Sequence, residues 1–348
     1  LDHRLAGPHP EVVPELARVL AAAMPESQAK AVAQQMAAAF GSPGVAHHHR
    51  THCEAAELIA KRLGMGPRVI AGLAHAYERW DGVSTQKLAE GEGISLPMRL
   101  VQVAQQAAQD SASRGAAEIG ERVRLRAGKQ LDPTFATLLA EDPAHFVADF
   151  DAMDLTQAVL EAEPGAPVWL VGDQIDLALS AIADFGDLKS PHMIGHSRRV
   201  AAVAGAAARA ASLTAPDVAR VTQAALIHDI GRIGVQSSLL GKSGTLSRAE
   251  HERIRLHSYL TERIFADSPV LAPLGSLGAT HHERLDGSGY HRGFGATALS
   301  APARLLAAAN AWCALTETRP HRQEMTEGEA ALALSAQARA GLFDRKAV

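Results

Sequence analysis

Aromatic residues are scarce, 4% of 348, although the hydrophobic fraction is 47% and much of that is alanine. Such a balance disfavours β-sheet and favours closely packed helices. The two cysteines, Cys53 and Cys313, cannot build a disulfide framework, which suits a reducing cytoplasm, the compartment expected for this chain. No apolar run approaches a membrane span, so no membrane partner is expected. Neither sign of charge dominates: the net value is −4, which excludes a bulk basic field for nucleic acid but allows a local basic patch. The start, Leu1-Asp2-His3-Arg4, is no signal peptide, and without an initiator Met the sequence is expected to be a fragment. The length suffices for two domains with full cores.

Alternation of strand period is absent too, and helical periodicity fills the chain. Helices are predicted as a pair over 11–40, then over 49–62, 68–79, 97–109, 115–127 and from Pro133 with Asp132 as cap. Prolines and glycines thicken over 141–174, which is read as a linker between a first domain, 1–140, and a second, 175–348. In the second domain, helices are predicted over 174–185, 196–212 and 215–228, and then one bearing His257. Further helices are read over 270–283 and from Pro302. Ser247 and Glu250 form a capping-box pattern ahead of the helix with His257.

Histidine is abundant, with 17 copies. The run His47-His48-His49 reads as a solvated surface cluster. Leu226-Ile227-His228-Asp229-Ile230-Gly231-Arg232 reads differently. An adjacent imidazole and carboxylate inside an apolar segment are costly to bury unless something satisfies both, and a metal ion does. With His196 upstream and His257, His281 and His282 downstream, one domain offers six candidate ligands. Neutral imidazoles suit first-row transition metals, and a carboxylate can bridge two ions roughly 3.5–4 Å apart that activate water and hold a phosphoryl oxygen.

One constant offset, that from His52 to His257, lays the first half on the second. It also places Glu57 on Glu262, Glu78-Arg79 on Glu283-Arg284, Asp81-Gly82 on Asp286-Gly287, and Pro97, Arg99 and Leu100 on Pro302, Arg304 and Leu305. Ala76 and Tyr77 then face His281 and His282, and Gln105 faces Asn310. The expected architecture is therefore all-α: two tandem HD-like helical domains, the first a degenerate repeat without metal ligands.

Roughly residues 185–322 resemble the HD-GYP family of the HD phosphohydrolases. The matching text is Gly195-His196-Ser197-Arg198-Arg199-Val200, His228-Asp229-Ile230-Gly231-Arg232-Ile233-Gly234, His257, His281-His282-Glu283-Arg284-Leu285-Asp286-Gly287-Ser288-Gly289-Tyr290, Ala303-Arg304, Ala314-Leu315-Thr316 and Arg319-Pro320. By position, the resemblance implies metal ligands at His196, His228, Asp229, His257, His281, His282 and Asn310. It implies catalytic roles for Asp229 and Arg232, and nucleotide contacts from Asp286, Gly287, Gly289, Tyr290 and Arg304. It also implies two divalent transition metals, iron or manganese first, with zinc, nickel or magnesium as alternatives. The implied substrate is a cyclic dinucleotide, and the implied activity is that of a phosphodiesterase hydrolysing cyclic di-GMP within a signalling or transcriptional regulator.

The sequence departs from the family pattern at four positions. Arg232 stands where lysine is usual, His291 where proline is, Asn310 where the last aspartate ligand is, and Cys313 at the next acidic position. His192 sits where some members add a ligand for a third metal, against a plain surface residue after Pro191. Asn310 keeps a carbonyl oxygen but loses a negative charge, which leaves open a catalytically impaired sensory domain that binds metal or nucleotide without turnover. Another nucleotide phosphohydrolase of the broad HD class is the third reading. The tandem layout also resembles regulators in which a LuxR-type helix-turn-helix follows the HD module; DNA contact would require that module, which lies outside 1–348. A homodimer is left open.

Overall fold

A computed structural model describes residues 13, 17, 18, 20–40, 43–84, 86–111, 114–147, 154–163 and 169–348, with only backbone at 37–40, 43–45, 48 and 156. Among the described residues the chain is helical, and its β pairings are three isolated bridges rather than strands. The all-α expectation holds. The chain divides into two compact units, Leu1–Trp169 and Leu170–Val348.

The first unit contains α1 (Glu26–Phe40), α2 (Pro43–Arg62), α3 (Pro67–Ala74), α4 (Leu96–Ser111), α5 (Ala116–Arg126), α6 (Pro133–Glu141), α7 (Pro143–Val147) and α8 (Leu155–Glu161). Val103, Ile119, Val123, Leu131 and Ala136 form its main core. Asp132 caps α6 by accepting from the N–H groups of Thr134 and Phe135. The segment expected as a linker carries α7 and α8, and the division falls after Trp169. Much of the helix expected before Pro25, including Val12, Leu16 and Val19, lies outside the described residues. The helix expected over 68–79 stops at Ala74. The expected histidine surface run is corrected at His49, which is buried and stacks on Tyr77 with ring centroids 3.9 Å apart.

The second unit contains α9 (Asp173–Asp187), α10 (His196–Ala210), α11 (Ala215–Ile227), α12 (Ser237–Leu240), α13 (Arg248–Phe265), α14 (Ala272–Gly278), α15 (Ala301–Leu315) and α16 (Glu327–Arg339). Ala201, Ala204 and Ala208 of α10 join Val221 and Ala225 of α11 and Leu305, Leu306 and Ala309 of α15 in one core. Small side chains let helix axes approach closely, the packing that the alanine excess favours. The Ser247 capping box is present in full: its hydroxyl accepts from Glu250 N–H, and the Glu250 carboxylate accepts from Ser247 N–H. The helix expected over 270–283 ends at Gly278, and residues 279–282 form turns.

The two units hold matching contacts. Arg99 pairs with Asp132 at 3.0 Å, and Arg304 pairs with Asp344 at 2.7 Å. Trp80 N–H donates to Gln130 O, and Leu285 N–H donates to Leu342 O. Glu78 and Glu283 are both buried.

Candidate metal centre

Five elements of the second unit bring their histidines and acids to one point. His196 is the first residue of α10, His228 follows the last turn of α11, and His257 lies within α13. His281 and His282 occupy the turn after α14, and Asn310 lies within α15. The chain leaves α11 through Asp229 into a 3-10 turn, Ile230–Gly234, pressed against α13. Gly231 makes this approach possible: a Cβ there would lie 2.0 Å from His257 O and 2.6 Å from Thr261 N.

Asp229 stands at the centre, 2% exposed. Its Oδ2 faces His228 Nε2 at 3.3 Å and His196 Nε2 at 3.7 Å. Its Oδ1 faces His257 Nε2 at 3.3 Å and His281 Nε2 at 3.5 Å. One carboxylate thus divides its oxygens between two sets of imidazoles. Potential ligand atoms fall into two matching groups, His196 with His228 and Asp229, and His257 with His281 and His282. Asn310 adds Oδ1 at 3.2 Å from His196 Nε2.

The far side of four imidazoles is tied down. Nδ1 of His228 faces Ala225 O at 2.7 Å, that of His257 faces Ile254 O at 2.5 Å, and that of His281 faces Gly278 O at 2.7 Å. Nδ1 of His196 faces Glu317 Oε2 at 2.7 Å. A carbonyl can only accept, so at His228, His257 and His281 the proton sits on Nδ1 and the lone pair of Nε2 is turned toward Asp229. A carboxylate or carbonyl behind a histidine is the usual support of a metal-ligating imidazole. Both oxygens of Asp229 and Nε2 of His228 are buried without a hydrogen-bond partner. Arg232 Nε lies 2.8 Å from Asp229 Oδ2, yet it too is without an aligned hydrogen bond, so the pair is held by charge alone. Orphaned acceptors converging on one space, lone pairs inward, fit a pair of divalent cations.

The electrostatics agree. Burial pushes the pKa of His257 down to about 3 and that of His281 down to about 4, and His196 and His282 are lowered for the same first reason. These rings are neutral at neutral pH, the form that binds a metal. Burial raises Asp229, but Arg232 and His228 outweigh it and hold the carboxyl well below its usual range. Burial lowers His228, but the adjacent Asp229 carries it above its ordinary value.

A cleft of about 490 Å³ opens beside this cluster. Its lining includes four fixed cations, Arg232, Lys242, Arg255 and Arg319, and no carboxylate. Each of these cations is paired with a carboxylate outside the lining, Arg232 with Asp229, Lys242 with Glu250, Arg255 with Glu252 and Arg319 with Glu317. Tyr290 forms part of the wall, stacks on His282 with centroids 4.6 Å apart, and carries the Arg255 guanidinium 4.6 Å over its ring.

The other expected nucleotide contacts are placed differently. Asp286 is exposed and accepts from the N–H and hydroxyl of Ser288, so it shapes its own turn. Gly287 takes φ +79° at that turn. Gly289 is required by space, since a Cβ there would sit 2.5 Å from Arg284 N and Glu283 Cα. Arg304 is not among the residues lining this cleft, and its donors go to Leu299 O, Ala296 O and Asp344. His192 is exposed on the cleft wall. Cys313, at the family's further acidic position, is buried in the core, and burial raises its thiol to about 12.

Residue patterns alone miss three supports. Glu317 holds His196 from behind and is itself held by Arg319 at 2.8 Å. Asp187 accepts from Ser197 N–H and its hydroxyl, fixing the start of α10 beside His196. Glu283 accepts from the N–H groups of Arg292 and Phe294, holding the loop beyond Tyr290. A lone acid outside a ligand motif carries no sequence signal. The one hint for Glu283 is its recurrence as Glu78.

Residues 181–347 match the HD domain family. The chain is 30% identical to 3'3'-cGAMP-specific phosphodiesterase 3 of Vibrio cholerae over 79% of its own length and 61% of that protein. It is 35% identical to 3'3'-cGAMP-specific phosphodiesterase 1 of the same organism over 42% of its own length and 34% of that protein. It is 31% identical to a cyclic di-GMP phosphodiesterase of Thermotoga maritima over 41% of its length and 39% of that protein. The chain thus spans less than two thirds of each of these relatives. The solved structure of a cyclic GMP-AMP specific phosphodiesterase from V. cholerae covers 97% of this chain with a TM-score of 0.60 at 23% identity, over 79% of that structure, which establishes a shared fold.

Proposed function

From an HD domain over residues 181–347 and homology to HD-GYP cyclic dinucleotide phosphodiesterases, we propose that this chain is a metal-dependent phosphodiesterase of cyclic dinucleotides. The observation that carries the reading is Asp229, whose two orphaned oxygens are shared between two histidine sets beside a cationic cleft. His196, His228, Asp229 and Asn310 would hold one divalent transition ion, and Asp229, His257, His281 and His282 the other. When bound, such a pair supplies Lewis acidity and a deprotonated water for in-line attack at phosphorus.

The chain's own residues do the rest. Arg232 and Arg319 line the cleft where it meets the cluster, placed to offset phosphoryl charge. Arg232 is a planar fork rather than a point charge, so it suits two phosphate oxygens at once. Arg255 and Lys242 extend the positive wall toward a second phosphate of the same substrate. Tyr290, stacked on His282, carries the Arg255 guanidinium over its ring and so holds that cation at the cleft wall. Cyclic di-GMP and 3'3'-cGAMP are the substrates to test: the loop resemblance favours the first, and the relative matched over most of this chain is named for the second. Purified protein loaded with Mn²⁺ or Fe²⁺ should open one or both, and inertness toward every cyclic dinucleotide defeats the reading.

A second reading rests on Asn310. With one formal negative charge among its ligands, the centre can hold metal and nucleotide without turnover. Nucleotide binding by calorimetry with no product by chromatography would select this alternative. The matching pairs Arg99–Asp132 and Arg304–Asp344 support a further part of the proposal, that the first unit is a decayed copy of the second. Its positions facing His281 and His282 are Ala76 and Tyr77, so its role is structural or regulatory.

A further inference from the structure

We propose that Thr261 is a positioning residue that registers the Asp229 bridge against His257; the proposal rests on the metal-centre reading above. Thr261 lies one helical turn after His257 on α13 and is fully buried. A helical threonine commonly returns its hydroxyl to a carbonyl of its own helix. Here Oγ1–H donates to His228 O at 2.8 Å, and the same oxygen accepts from Gly231 N–H at 3.0 Å. One hydroxyl therefore pins both ends of the segment 228–231 to the helix that carries His257.

The place of this clamp matters because the two histidine sets come from different segments. His228 and Asp229 travel with the turn after α11, whereas His257 travels with α13. Asp229 serves both sets only if the turn keeps its register on that helix. Contact is already at its limit, since a Cβ at Gly231 would meet His257 O and Thr261 N. Packing holds the turn close, and the Thr261 hydroxyl fixes where along the helix it sits. Without it, His228 O and Gly231 N–H would be buried and unpaired, and the turn would slide to satisfy them.

The test compares T261V, which keeps shape and removes the hydroxyl, with T261S, which keeps the hydroxyl and removes the methyl. Mn²⁺ binding to the purified chain is measured by calorimetry, with bound manganese counted by elemental analysis and helicity checked by circular dichroism. T261V is expected to bind Mn²⁺ about tenfold more weakly or worse, while T261S binds as wild type does. Loss of the methyl alone would weaken T261S and spare nothing in the comparison, so equal losses in both variants overturn the proposal. Wild-type affinity and stoichiometry in T261V overturn it as well. If T261V does not fold, T261C takes its place, with weakened binding expected beside an unchanged T261S and equal binding in the two overturning the proposal. Wild-type protein that takes up no Mn²⁺ overturns the centre itself and this clamp with it, a result distinct from equal binding.

Discussion

At the scale of single residues, charge decides how tightly the centre can hold its ions. The imidazoles of His196, His257, His281 and His282 around Asp229 are neutral, Arg232 lies 2.8 Å from one of its oxygens, and Asn310 offers a dipole where a carboxylate would offer a full charge. Asn310→Asp adds that charge beside His196 with almost no change of volume. Mn²⁺ affinity is expected to rise by about tenfold or more, since a partner worth about 1.4 kcal/mol changes an equilibrium that much. A titration with a competing chelator checks it; unchanged affinity would mean that residue 310 is no ligand. Gly231 answers to space rather than charge. Gly231→Ala places a methyl 2.0 Å from His257 O, where backbone rather than a flexible side chain must move. A loss of about 1–3 kcal/mol of stability is expected, together with weaker metal uptake, measured by urea unfolding and elemental analysis.

At the scale of elements, the helix carrying His257 depends on its first turn. Ser247→Ala removes the hydroxyl that accepts from Glu250 N–H and should cost about 1 kcal/mol, read from urea unfolding. This cap was legible because capping is local: Ser247 and Glu250 stand three apart and need nothing else. The turn after α14 was not legible. Apolar spacing carries through residue 278, but continuing the helix would have swung His281 and His282 around an axis. In the turn, His281 Nδ1 instead reaches back to Gly278 O, a tertiary outcome that periodicity cannot encode. Arg304 has contacts that its motif position does not announce. Motif text marks it as a nucleotide contact, yet its guanidinium ties α15 to Leu299 O, Ala296 O and Asp344. Arg304→Ala should therefore lower stability by about 1–3 kcal/mol and leave the KM for a cyclic dinucleotide near the wild-type value. The histidine and aspartate cluster was readable because adjacent His-Asp and His-His pairs are rare on apolar segments, and the fold brings His196, His228, Asp229, His257, His281 and His282 into two groups that could hold metal ions. Its supports, Glu317, Asp187 and Thr261, act through contacts made only after folding.

At the scale of the whole molecule, the uneven distribution of ligands makes a directional prediction. Among the described residues, both groups of potential metal ligands lie in the second unit. A metal that binds the folded state stabilises it by mass action, about 2.7 kcal/mol at a hundredfold excess over Kd. For a unit of this size the thermal midpoint should rise by about 5–10 °C between chelator-treated and Mn²⁺-loaded protein. The gain has a specific address, because the ions would satisfy atoms that are otherwise buried and orphaned, Nε2 of His228 and both oxygens of Asp229. Hydrogen exchange with and without Mn²⁺ should show slower exchange at the start of α10, the end of α11, the middle of α13 and the turn at 279–282. Exchange over 43–141 should be unaltered, because that unit carries Ala76 and Tyr77 where the second carries His281 and His282. Protection gained equally in both units would mean that the first retains a metal site of its own and would remove the argument that it is a decayed copy.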